Sequence, residues 1–269
     1  MTYILKNLIN IFTYPIRNTI RFSRPIKTII NEDKINIFSN EEEIKEEQRL
    51  INYYQMESFK NNSSLIHYKE NLYSLKLLED NLKNVSFNWD IERLKILDIG
   101  SKNFSYAISL NNFFSLFHPS YKTNRIIYLD GIEIDPYRIM VDLHSRYDYA
   151  MYYIKDLQNT KYITSNLLDF KENQYDIITW FLPFIVKEPL LNWGLPLKYF
   201  EPENMLKHAY NLLKSQGIIL VVNQSEIEFK IQLQIIKGLG LNYIEIEKPY
   251  SNYFSPFKHE RYITVVKKG

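Results

Sequence analysis

The chain has 269 residues, 24% of them charged and 45% apolar, with a net charge of +2. That length and balance fit one large globular domain, or one domain with an accessory segment, and bulk charge gives no signal for a nucleic-acid partner. The absence of cysteine excludes disulfides, thiolate metal sites and a cysteine nucleophile.

No apolar run reaches the ~18 residues of a transmembrane helix, and the N-terminus lacks the apolar core and cleavage site of a signal peptide. A cytoplasmic location is therefore expected. Residues 1–38 form a basic, apolar arm. Lys6, Arg17, Arg21, Arg24 and Lys27 are interleaved with Ile, Leu and Phe, and no acid precedes Glu32. Pro15 and Pro25 predict that the arm breaks into short pieces. Two uses suit it: peripheral contact of residues 1–30 with an anionic membrane surface, or packing on its own domain or a second copy, the commoner use of an amphipathic helix.

Residues 39–90 predict a helical cap. Asn40 precedes "EEEIKEEQ", which puts acids at the positive end of a helix dipole. "NNSS" (61–64) interrupts the pattern, and "LIHYKENLYSLKLLEDNLKN" follows as a second amphipathic helix.

From residue 91 onward short apolar runs alternate with helical patterns. The runs are "LKILDI" (94–99), "IIYLDGIEI" (126–134), "KYITSN" (161–166), "YDIITWF" (175–181) and "GIILVVN" (217–223). Such alternation predicts βαβ units and a parallel sheet buried on both faces. Asp135-Pro136 and Glu201-Pro202 read as helix starts. "EIEFKIQLQIIKGLG" predicts a last helix, followed by strands "NYIEIE" (242–247) and "RYITVV" (261–266). Their connector holds Pro249 and Pro256 without helical periodicity, so the pair should be antiparallel. Polar "HPSYKTN" (118–124) reads as a long loop. His144 and Asp148 would share a helix face if 135–150 were helical. The histidines lack metal-ligand spacing, and no metal site is expected.

In an open α/β sheet ligands bind beyond the carboxyl ends of the strands. "ILDIG" (96–100), "GIEID" (131–135), "ITSNLLDF" (163–170), "YDIITWF" and "NLLKSQGIILVV" (211–222) fall at or beside those ends. In that order they resemble the motifs of class I S-adenosylmethionine-dependent methyltransferases, over about residues 94–266. The resemblance implies a three-layer Rossmann-like α/β sandwich: a mostly parallel seven-stranded sheet with an antiparallel last strand, here preceded by an N-terminal helical segment. Residues 91–269 would form the methyltransferase-like domain.

It also implies S-adenosylmethionine as cofactor and methyl transfer to an unidentified acceptor. Glu133 would grip the ribose hydroxyls. Gly100 would supply the tight turn, and Ser101 and Lys102 stand where the family has further glycines. Lys102 could pair with the methionine carboxylate or point into water. Asp98 could reach the methionine amino group or cap local backbone. Asn166 and Leu167 would meet the adenine, with Asp169 as an alternative acceptor for its amine, and Thr179 closes the cofactor list.

"TWFLPF" (179–184) lacks the acid or amide followed by prolines that methyltransferases of base or amide nitrogens carry. Trp180, Phe181 and Trp193 offer aromatic walls for a substrate, and Asn223 a polar contact. Two rival readings stand beside this one. The first is a non-catalytic methyltransferase-like scaffold. The second is a nicotinamide-dependent oxidoreductase, which calls for a fuller G-x-G-x-x-G and predicts no terminal antiparallel pair.

Overall fold

The computed structural model describes residues 2–117, 125–172, 174–246, 250, 252, 254 and 260–269. The expected loop at 118–124 and the prolines 249 and 256 lie outside the described residues.

Seven strands form one sheet in the order β3-β2-β1-β4-β5-β7-β6. They are β1 (Arg93–Ile99), β2 (Ile126–Glu133), β3 (Thr160–Thr164), β4 (Tyr175–Phe181), β5 (Leu213–Asn223), β6 (Asn242–Glu245) and β7 (Tyr262–Lys267). Strands β1 to β5 pair in parallel, while β7 runs antiparallel to both β5 and β6. The three-layer α/β sandwich, with a mostly parallel sheet and an antiparallel seventh strand, is thus present. The chain reverses its direction of sheet growth between β1 and β4, which opens a crevice at their carboxyl ends.

Alternate residues of each strand enter two different cores. Leu94, Ile96, Ile177, Ile218 and Leu220 join the core with α4 (Leu65–Leu82) and α5 (Ala107–Leu116). Leu97, Ile99, Ile178, Ile219 and Val221 join the core with α8 (Pro202–Leu212) and α9 (Glu226–Gly238). Helices α2 (Glu41–Tyr53) and α3 (Glu57–Asn61) extend the first core through Leu50, Ile51 and Phe59. Asn40 caps α2 by accepting the Glu42 N–H.

Three local expectations are corrected. Pro15 does not break the arm: α1 (Tyr3–Ile20) runs through it and ends at Arg21 in a left-handed cap. A single proline removes only one intrahelical bond, and contacts with the rest of the chain hold both halves of the helix. Asp135 does not start a helix, because its carboxylate is taken by Arg17 at 2.7 and 2.8 Å. The helix α6 (Arg146–Ile154) starts instead at Ser145, whose capping box with Asp148 satisfies backbone donors from both sides. His144 therefore lies outside the helix. Finally, β5 begins before Gly217: Tyr175 pairs with Leu213 and Ile177 with Ile218, so residues 214–217 bulge out of the ladder.

A candidate ligand cleft at the carboxyl ends of the strands

The turn after β1 is built from few glycines but several left-handed residues. Gly100, Lys102 and Phe104 have φ of 72°, 53° and 50°. The Gly100 and Ser101 N–H groups both donate to the Ile132 carbonyl, at 2.9 and 3.2 Å, which ties the turn to β2. Ser101 Oγ donates back to the Asp98 carbonyl at 2.9 Å. The Phe104 ring is buried against β2, where it meets Gly131. A Cβ on Gly131 would stand 2.6 Å from that ring and 2.7 Å from Ser101 Oγ. The glycine that gives this loop its room therefore sits in the neighbouring strand.

Asp98 lies entirely beneath the turn. Thr179 Oγ1 donates to one carboxylate oxygen at 2.7 Å and the Tyr106 hydroxyl to the other at 2.8 Å. Burial pushes its carboxyl up to about 6, against the pull of those hydrogen bonds.

At the end of β2, Glu133 is buried and its two oxygens accept different backbone donors. Lys102 N–H reaches Oε2 at 2.9 Å and Asp135 N–H reaches Oε1 at 2.8 Å. Arg146 Nη1 lies 3.6 Å from Oε1, and its guanidinium stacks on the Trp193 ring at 4.3 Å. Burial raises the Glu133 pKa, with Arg146 as the main counterweight. Each carboxylate oxygen keeps a second lone pair, so Glu133 can still accept from two hydroxyls.

These residues border a cleft of about 350 Å³, within the ~300–1,000 Å³ usual for small-ligand sites. Gly100, Lys102, Glu133, Asn166, Leu167, Trp180, Phe181 and Trp193 all line it. Lys102 does not point into water. Its Nζ comes within 5.8 Å of the Trp193 ring, and burial lowers its pKa. Asn166 lines the cleft, but its side-chain oxygen accepts the Leu168 N–H at 3.4 Å and so caps a 3-10 turn at Leu167–Asp169. Asp169 is exposed and outside the cleft.

Four of the expected contacts fall outside the cleft lining. Asp98, Ser101 and Thr179 are fully buried behind the lining, where their side chains bond one another, Tyr106 and the turn. Asn223 is fully buried on the strand face it shares with Ile219 and Val221, whereas its neighbour Gln224 borders the cleft.

The cleft has a roof, built from the segment that carries Trp193. Residues 182–200, including α7 (Lys187–Asn192), supply Pro189, Leu190, Leu195 and Tyr199. Helix α1 lies on this segment. Asn10 Nδ2 donates to the Leu191 and Leu195 carbonyls at 2.9 and 3.1 Å. Asn7 Oδ1 accepts the Leu197 N–H at 2.8 Å, and Arg17 Nη2 donates to the Gly194 carbonyl at 2.7 Å. Tyr14 donates to the Ile134 carbonyl at 3.0 Å and packs its ring on Tyr199. Arg146, which stands between Glu133 and Trp193, was also missed; the Ser145-x-x-Asp148 capping signature was the available clue to its position. Among the described residues, no three His, Asp or Glu side chains are grouped to hold a metal ion.

No family model matches this chain, and no curated protein matches it. Solved structures do resemble it. A protein described as an S-adenosylmethionine-dependent methyltransferase from Methanococcus maripaludis is 11% identical with a TM-score of 0.49, over 90% of this chain and 98% of that one. A second, described as a class I enzyme of that kind from Listeria monocytogenes, is 15% identical with a TM-score of 0.49, over 88% and 71%. An S-adenosylmethionine-dependent O-methyltransferase from Thermotoga maritima is 12% identical with a TM-score of 0.47, over 72% and 64%. The match thus spans less than two thirds of the Thermotoga protein.

Proposed function

We propose that this chain is an S-adenosylmethionine-dependent methyltransferase. The observation that carries the reading is the convergence of Gly100, Glu133, Asn166 and Leu167, from the ends of β1, β2 and β3, on one cleft at the reversal point of the sheet. The antiparallel β7 also speaks against the nicotinamide-dependent alternative.

The residues present fit the cofactor. Glu133 has acceptor capacity left for two ribose hydroxyls, held in place by two backbone N–H groups and by Arg146. Leu167 and Ile134 offer apolar surface for the base. Lys102 is the cation within reach of a carboxylate at the amino-acid end. When bound, the cofactor supplies a methyl group already made electrophilic by its sulfonium. The chain's part is then to bind, align and exclude water, which positioning alone can turn into much of the rate. Trp180, Phe181 and Trp193 wall the space for the acceptor, and no side chain at the cleft needs to act as a base.

A non-catalytic scaffold is the second reading. It is favoured by Asp98, which is wholly buried beneath the turn and does not line the cleft, so its carboxylate is screened from the methionine amino group. Calorimetry separates the two. S-adenosylmethionine and S-adenosylhomocysteine should both bind the wild type, and Glu133→Gln should weaken both by about tenfold or more, because charge-assisted hydrogen bonds to the ribose are lost. Absence of heat with either ligand rejects the methyltransferase. Unchanged affinity in Glu133→Gln rejects the ribose placement.

A further inference from the structure

Helix α1 is mounted with its polar face inward. Asn7, Asn10, Tyr14 and Arg17 face the domain and make its contacts. Ile4, Leu8, Phe12, Ile16 and Ile20, spaced by four, run along the opposite side; Ile4 is 76% exposed, Phe12 68% and Ile20 68%. Leu5, Ile9 and Ile11 widen this stripe and are exposed as well. A surface helix normally turns such a stripe to the core, and a continuous apolar surface left in water marks an interaction site.

A second apolar element stands beside it. Residues 139–145 form a small hairpin closed by a bridge between Ile139 and Ser145. Ile139, Met140, Val141 and Leu143 are exposed on it, and Val141 is completely so. The arm is fastened to this hairpin and to the start of α6. His144 Nδ1 bonds the Arg24 carbonyl at 2.6 Å, the Arg24 N–H donates to Asp148 at 3.0 Å, and Ser23 Oγ donates to Asp148 at 2.5 Å. Hydrogen bonds thus link the segment just beyond α1 to the hairpin.

The charge around them is mainly cationic, with two exposed acids: Asp142 on the hairpin, and Glu188 of α7, which accepts the Tyr3 hydroxyl at 3.2 Å. Arg21, Arg24 and Lys27 are exposed just beyond α1, and no acid occurs before Glu32. Lys6, Arg17 and Arg138 line a groove of about 300 Å³ between α1 and α7, along the edge of the apolar stripe. The nearest hairpin acid, Asp142, is bound by the Tyr149 hydroxyl and the His144 N–H.

We propose that this face docks on an anionic lipid bilayer. Phe12, Ile16 and the Val141 tip enter the apolar boundary, and Arg21, Arg24 and Lys27 meet the headgroup phosphates. A second copy fits less well. A twofold interface sets the same patch against itself, and would bring the cationic margin of Arg21, Arg24 and Lys27 close to its own image.

The test is flotation of the full chain with phosphatidylcholine vesicles, with and without phosphatidylserine. Wild type should float with the anionic vesicles and be released by salt. Arg21→Ala/Lys27→Ala should lower the affinity by about tenfold or more, since each surface cation near an anionic leaflet contributes on the order of 1 kcal/mol. Phe12→Glu/Ile16→Glu should abolish flotation. Val141→Glu, on a different element, should weaken it independently, so a folding defect in one variant leaves the other to decide. No flotation of the wild type overturns the proposal. So does equal binding to neutral vesicles, or binding indifferent to these substitutions. A concentration-dependent dimer that Phe12→Glu/Ile16→Glu dissociates, without vesicle binding, gives the face to a second copy instead.

Discussion

Helices α1 and α4 are both 18 residues long, and the molecule uses them in opposite ways. α4 buries nine side chains, including Leu72, Leu75, Leu77, Leu78 and Leu82. α1 buries one, Asn10. The first is held by apolar area, at roughly 25 cal/mol per Å² removed from water. The second is held by a row of directed hydrogen bonds and one ion pair, each contributing net on the order of 1 kcal/mol. Apolar periodicity establishes that a helix has two faces, but which face meets the domain depends on what the domain offers. Beneath α1 lies a loop segment with carbonyls at Leu191, Gly194 and Leu195 to satisfy, so the polar face wins.

Substitutions on the two helices can break this contrast. Leu72→Ala removes a fully buried side chain from α4, and we expect it to cost about 2–5 kcal/mol in urea denaturation. A loss well below that would mean α4 is not part of the cooperative core. Asn10→Ala leaves the Leu195 carbonyl of the cleft roof without its donor and the Leu191 carbonyl with backbone donors alone, for a loss of about 1–3 kcal/mol. Amide exchange in α1 should then speed up while α4 stays protected; a uniform change across both helices would contradict the separate anchoring. Phe12→Ser, on the outer stripe of α1, should alter stability by less than about 0.5 kcal/mol. If its melting resembles that of Leu72→Ala, the stripe is already covered in solution.

Much of the sheet was readable from the chain. The runs 94–99 and 175–181 match β1 and β4 to within a residue, because parallel strands buried on both faces leave continuous Ile and Leu. The antiparallel end was readable from the missing helical period between the last two strands. The site was readable only in part, for a physical reason. Residues at or just past strand ends, such as Glu133 and Leu167, are positioned by the fold and line the cleft. Their neighbours are not: Arg17 reaches Asp135 across 118 positions, and Asn10 reaches Leu191 across 181. Contacts of that separation leave no periodic trace. Asp135-Pro136 misled because a good local cap was outbid by a distant arginine. Lys102 is ambiguous in the sequence, since lysines usually lie in water, and only the roof brings the Trp193 ring within 5.8 Å of its Nζ.

The pairing of Phe104 with Gly131 has a bearing on how this chain can change. The Phe104 ring fits under the turn because residue 131, 27 places along the chain in the neighbouring strand, has no Cβ. The two positions are sterically coupled. A side chain at 131 would require both the ring at 104 and the hydroxyl at 101 to give way, and a grafted copy of the turn carries no meaning unless its host has a bare backbone at the facing position. The loop's permission is written on its neighbour.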